Sequence, residues 1–164
     1  MTRGTGKLAL GTVGLALLAG CGGSDSGDGE YVKRVDALCK RANPDLAAIQ
    51  TALVQARDKA RAGQVKPAET FREFERLLAE AKAATHQITA GLREVSPPSS
   101  EEEFHRDLIG STEEGVANLR LQQRAARRSD AVALRNLSVE GSRISARGKG
   151  LVNGHGDFRF CGRN

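Results

Sequence analysis

Across residues 67–95 the positions Phe71, Phe74, Leu78, Ala81, Thr85, Ile88, Leu92 and Val95 follow one another at alternating steps of three and four, without a break. A helix sets such positions along one side. The alternation runs for nearly four heptads and matches the left-handed packing of helical bundles. Pro67 stands where a helix can start, and Ser96-Pro97-Pro98 stops it. A seam this long needs further helices to bury it, so the rest of the chain is read first for the same period.

Three more stretches carry it, and no stretch shows convincing strand alternation. In the first, Tyr31, Val35, Leu38, Ala42, Leu46, Ile49, Leu53, Ala56 and Ala60 share a face. The apolar phase runs unchanged through Pro44, which predicts one kinked helix over about 30–62, ended at Gly63; a fresh start capped by Asn43 is the alternative. The third, about 101–128, has a weaker face of Phe104, Leu108, Thr112, Gly115, Leu119, Gln122 and Ala126. Ser100 and Glu103 form a capping-box signature before it, and the acidic run Glu101-Glu102-Glu103 suits a helix amino terminus. The fourth, about 130–151, follows a cap or break at Ser129-Asp130 and steps through Leu134, Leu137, Gly141, Ile144, Gly148 and Leu151. Gly141, Ser145 and Gly148 are small enough for close backbone approach. Asn153-Gly154 reads as a turn into a tail. The expected fold is therefore all-α: an antiparallel up-down-up-down four-helix bundle, with the C-terminal tail folded back onto helix 1.

The amino-terminal end is of another kind. Nine of the 19 glycines fall in residues 1–29, so the glycine excess belongs to a leader and a linker. Arg3 and Lys7 precede an uncharged run of 11 residues, 8–18. That is far below the roughly 20 apolar residues of a membrane span and suits the apolar core of an export signal. It ends in Leu18-Ala19-Gly20-Cys21, which resembles the lipobox of bacterial lipoproteins at all four positions. The resemblance implies a signal peptide over 1–20, cleavage before Cys21, and lipidation of its thiol with acyl chains such as palmitate. Two or three chains hold a protein on a membrane, where one does so only marginally. Residues 21–29 then read as a lipidated flexible linker, because Gly, Ser and Asp bury no apolar surface. The helical bundle domain would span 30–164.

With Cys21 spent on lipid, Cys39 and Cys161 remain. In an oxidising compartment such a pair is expected to form a disulfide. Two separate buried thiols, or a two-Cys metal site with His155 as the nearest further ligand, are the alternatives.

The opening Tyr31-x-x-x-x-Asp36-Ala37-Leu38-Cys39-Lys40-x-Ala42-Asn43, the Pro-Pro turn and the Cys161-Gly162 pair, behind a lipobox and a Gly/Ser/Asp linker, resemble small helical lipoproteins of actinobacterial envelopes. That resemblance covers most of the chain. It implies an extracytoplasmic, membrane-anchored protein and brings no catalytic residues.

Two of the 25 basic residues, Arg3 and Lys7, fall in the leader, leaving 23 against 20 acidic ones. That balance does not indicate nucleic-acid binding. His86, His105 and His155 stand apart from one another, and His86 is expected on the surface. No zinc-protease, nucleophile-elbow or phosphate-loop motif is present. Glu113 and Glu114 are neighbours on a helix and point apart. No enzyme activity, cofactor or metal is therefore expected. Basic residues do gather at the end of the bundle remote from the membrane, where segments 55–73 and 118–136 hold ten against four acidic. Arg120, Arg124, Arg127 and Arg128 are either a solvated face complementing a helix dipole or a contact patch for anionic wall polymer or an acidic partner. The expected function is a non-enzymatic module that binds a partner in the cell envelope; a carrier or sensor of a small apolar ligand within the bundle is the alternative.

Overall fold

The structure, a computed structural model, describes residues 25–162; the leader and Cys21 lie outside them. Four α-helices follow in order, α1 (Asp25–Arg61), α2 (Pro67–Arg93), α3 (Glu102–Arg127) and α4 (Ala131–His155). A short 3-10 turn, Ser99–Glu101, leads into α3. The chain is all-helical, with no strand among the described residues. None of these helices is long and apolar enough to cross a membrane.

The helix ends follow local chemistry. Pro67 opens α2, where its missing N–H is no loss. Gly63, at φ +67°, takes the left-handed conformation that ends α1. Asp130 caps α4 by accepting from the Ala133 N–H at 2.9 Å. Pro44 is carried inside α1, a single helix.

Three boundaries differ from expectation. α1 begins at Asp25, so residues 25–29, read as linker, are helical. The N-cap position of α3 falls one residue after the Ser100 of the capping-box signature. Glu101 is the N-cap residue, without a side-chain cap hydrogen bond, because its carboxylate is engaged by His155 Nε2 at 2.7 Å. Asn153 and Gly154 are not a turn but the last turn of α4. Buried Val152 extends the helical face past Leu151, and Gly156 at φ +84° ends the helix instead.

Successive helices pack on one another: α1 on α2, α2 on α3, α3 on α4. The larger core gathers Tyr31, Val35, Leu92, Val95, Leu108 and Val152, with Phe158 and Cys161 from beyond α4. Fully burying a side chain such as Leu92 or Val35 contributes about 1.5–3 kcal/mol. A smaller cluster of Ile49, Leu77 and Ala81 lies farther along α1. Cys39 and Cys161 form a disulfide that closes a separation of 122 residues.

Candidate functional site

The apolar stripe on α1 runs its whole length in the sequence, but its burial does not. Tyr31 and Val35 are buried, while Leu53, Ala56 and Ala60 are only half-buried. The seam of α2 behaves likewise: Leu77, Leu78 and Leu92 are buried, and Phe71 and Phe74 near its start are not. Leu134, on the expected face of α4, is also half-buried. These uncovered seam residues converge. Leu53, Phe71, Phe74 and Leu134 line one open cleft of about 650 Å³ where the last turns of α1 meet the first turns of α2 and α4. That volume lies within the roughly 300–1,000 Å³ of small-molecule sites.

The cleft has two chemical ends. Arg57 and Arg61 occupy successive turns of one face of α1, and Arg135 enters from the first turns of α4. No Asp or Glu lines the cleft. The Arg57 side chain is half exposed and pairs with Asp58, its chain neighbour, at 3.3 Å. The other end, around Gln50, Val54, Leu78 and Val139, is uncharged. Val54 and Val139 are 41% and 51% exposed, and both border this cleft.

The opposite end of the molecule holds the larger core and a set of buried polar groups. The Tyr31 hydroxyl lies 3.1 Å from His105 Nδ1, and both residues are buried. Burial pushes the His105 imidazole below its usual range, against the pull of a hydrogen bond with the Leu92 backbone. Burial, helped by the negative charge of Glu101, pushes the Tyr31 phenol up to about 12. Both groups are thus held neutral near pH 7. His155 packs at a tilt against both rings of the stacked pair Phe104 and Phe158 while its Nε2 lies 2.7 Å from Glu101. Tyr31 is engaged with His105 and Glu101 with His155, and none of these four residues lines the cleft or the depression between α1 and α2. Among the described residues no group of three or more His, Cys, Asp or Glu side chains is placed to hold a metal ion.

The residues singled out in the sequence are distributed as follows. Cys21 lies outside the described residues. Cys39 and Cys161 are joined. His86 is exposed. The four arginines of the expected contact patch are placed as follows. Arg127 pairs with Glu75 of α2 at 2.8 Å. Arg120 borders a shallow depression with His86, Arg93 and Glu113. Arg124 and Arg128 are exposed at the end of α3. The cations that share a concave surface are Arg57, Arg61 and Arg135. All three belong to the two basic segments read from the sequence, and Arg57 and Arg61 follow Leu53 at steps of four along α1. Comparison with known proteins gives no match: no family model fits the chain, and no curated protein or solved structure is significantly similar to it.

Proposed function

We propose that this chain is a membrane-anchored, extracytoplasmic lipoprotein of the small helical envelope type, fastened through Cys21 and working as a non-enzymatic binding module in the cell envelope. The Cys39–Cys161 bridge supports an oxidising location. Short connections between helices that pack in sequence order support an antiparallel up-down-up-down bundle. The bonds from Asp36 to the backbone of residues 159–161 support a tail laid back onto α1. In that arrangement the cleft opens at the end remote from the membrane.

A module of this kind either docks an envelope partner on its surface or carries a small apolar ligand. The second reading is favoured by one observation, the convergence of uncovered seam residues from three helices on a single cleft. Native mass spectrometry of protein purified from its own membranes tests it. A bound mass that leaves on denaturation supports the carrier; bare protein, with a polypeptide or wall polymer captured by in-cell crosslinking, supports the docking module. Fractionation of Cys21→Ala tests the anchor: the variant is expected in the soluble fraction, and an unchanged membrane distribution refutes it.

A further inference from the structure

We propose that the cleft takes a long-chain carboxylate, a single acyl chain whose anionic head meets Arg57, Arg61 and Arg135 and whose tail runs over Leu53, Phe74 and Leu134 toward Val139. This rests on the carrier reading and names its ligand. Three observations on the molecule select this chemistry. First, the sign of charge is one-sided. Three guanidinium groups line the cleft and no carboxylate does, whereas the depression beside Gly91 carries Arg34 and Arg41 against Asp45 and Glu94. Guanidinium groups form their strongest contacts with carboxylate and phosphate oxygens.

Second, the charge is segregated. The cations sit where α1 ends and α4 begins, and the far end of the cleft is neutral. A ligand with a uniform distribution of charge, such as an acidic peptide or a wall polymer, would leave that apolar end uncovered. An amphiphile satisfies both ends. Third, the length fits one chain. From Arg61 to Gln50 the cleft follows eleven residues of α1, about 16 Å at 1.5 Å per residue. An extended chain advances roughly 1.1–1.2 Å per bond, by the span of an extended peptide residue and its three backbone bonds. About fourteen bonds therefore fill the cleft, the length of a myristoyl chain.

The test uses the full chain carrying Cys21→Ala, so that no detergent competes, after removal of bound lipid. Titration calorimetry compares myristate with octanoate and with tetradecanol, which has the same chain and a neutral head. Myristate is expected to bind at least about tenfold more tightly than tetradecanol, the contribution of charge-assisted hydrogen bonds. It is expected to exceed octanoate by at least about a hundredfold, from the extra methylenes buried. Replacing Arg57, Arg61 and Arg135 together by Gln should erase the preference over tetradecanol; all three are exposed, and helical circular dichroism checks that the fold is kept. Val139→Glu, also at an exposed site, should weaken myristate at least about fivefold. Equal binding of myristate and tetradecanol overturns the assignment of the head while leaving an apolar carrier standing. Full affinity in Val139→Glu overturns the cleft as the site. Binding of none of the three probes overturns the carrier reading as well.

Discussion

The Asp36 carboxylate accepts a hydrogen bond from the Phe160 backbone N–H at 2.7 Å, across 124 positions of sequence. The N–H groups of Arg159 and Cys161 point at the same carboxylate, each at 3.1 Å. Three successive amides converging on one anion make a small nest of the kind that binds anions elsewhere. Here the anion is supplied by α1. Asn43 adds a bond to the Phe160 carbonyl at 2.8 Å, and the Lys40 ammonium lies over the Phe160 ring. The disulfide from Cys39 to Cys161 closes beside this set.

Asp36→Asn should therefore destabilise the oxidised protein. Asp36 is buried, with 8% exposure, so its charge is compensated by these amides rather than by water. Hydrogen bonds to a charged group contribute about 1.5–3 kcal/mol, and the amide side chain keeps one acceptor oxygen at reduced strength. A loss of about 2 kcal/mol is expected in urea unfolding. A midpoint equal to that of the parent would show that the nest contributes nothing.

Replacing Cys39 and Cys161 together by Ser should lower stability by several kcal/mol. In the chain-entropy account a loop of more than 100 residues contributes close to 5 kcal/mol, mainly by restricting the unfolded chain. The folded contacts of Asp36 remain available in the variant, so helix content should persist at low temperature while the thermal midpoint falls. Thiol titration under denaturing conditions supplies the companion measurement, with two further thiols appearing only after reduction.

All four helices were legible in the sequence because their seams repeat at three and four, and the disulfide because its two cysteines were the pair left over. The cleft was not, for a physical reason. Periodicity reports which face of a helix is apolar, not whether a neighbour reaches it. Phe71, Phe74 and Leu134 carry the same spacing as buried Leu78 and Leu92, yet they border open space. His105 was missed differently. It lies one position after Phe104 and three before Leu108, on the edge of the α3 face, and only the approach of Tyr31 from α1 turns that edge into core. The basic end was legible as the two segments 55–73 and 118–136, but the pairing of Arg127 with Glu75 was not, because that partner comes from another helix.

The Tyr31–His105 pair predicts a stability profile with two flanks. Burial depresses the His105 pKa in the folded state, so the unfolded chain binds more protons below the ordinary value of 6.5. Stability should fall as pH drops below that value. Burial raises the Tyr31 pKa from 10.0 to about 12, so the unfolded chain loses its proton first and stability should fall again as pH rises from 10 toward 12. Thermal midpoints measured against pH should show a plateau between these flanks. His105→Gln should flatten the acid flank alone, at some loss of stability throughout. An acid flank unchanged in His105→Gln would place its origin elsewhere.

Two glycines of α4 should respond to alanine in opposite directions. Exchanging Gly for Ala inside a helix ordinarily stabilises it by roughly 0.8–1.0 kcal/mol, since Gly has more backbone freedom to lose. At Gly150 a Cβ meets nothing within 4 Å, so Gly150→Ala should approach that gain. At Gly141 the added carbon would sit 2.8 Å from Asn118 Oδ1 and 3.0 Å from Gln122 Nε2. Those atoms are not free to yield. Asn118 Nδ2 donates to the Leu137 carbonyl at 3.1 Å, and Gln122 Nε2 donates to Asn118 Oδ1, in a buried polar pair that ties α3 to α4. Moving either side chain breaks a bond whose groups have no water to turn to, and overpacking of this sort costs about 1–3 kcal/mol. That penalty exceeds the propensity gain, so Gly141→Ala should be less stable than the parent and Gly150→Ala more stable. Equal shifts in urea midpoint at the two positions would mean that α3 and α4 are not held as close as Asn118 and Gly141 place them.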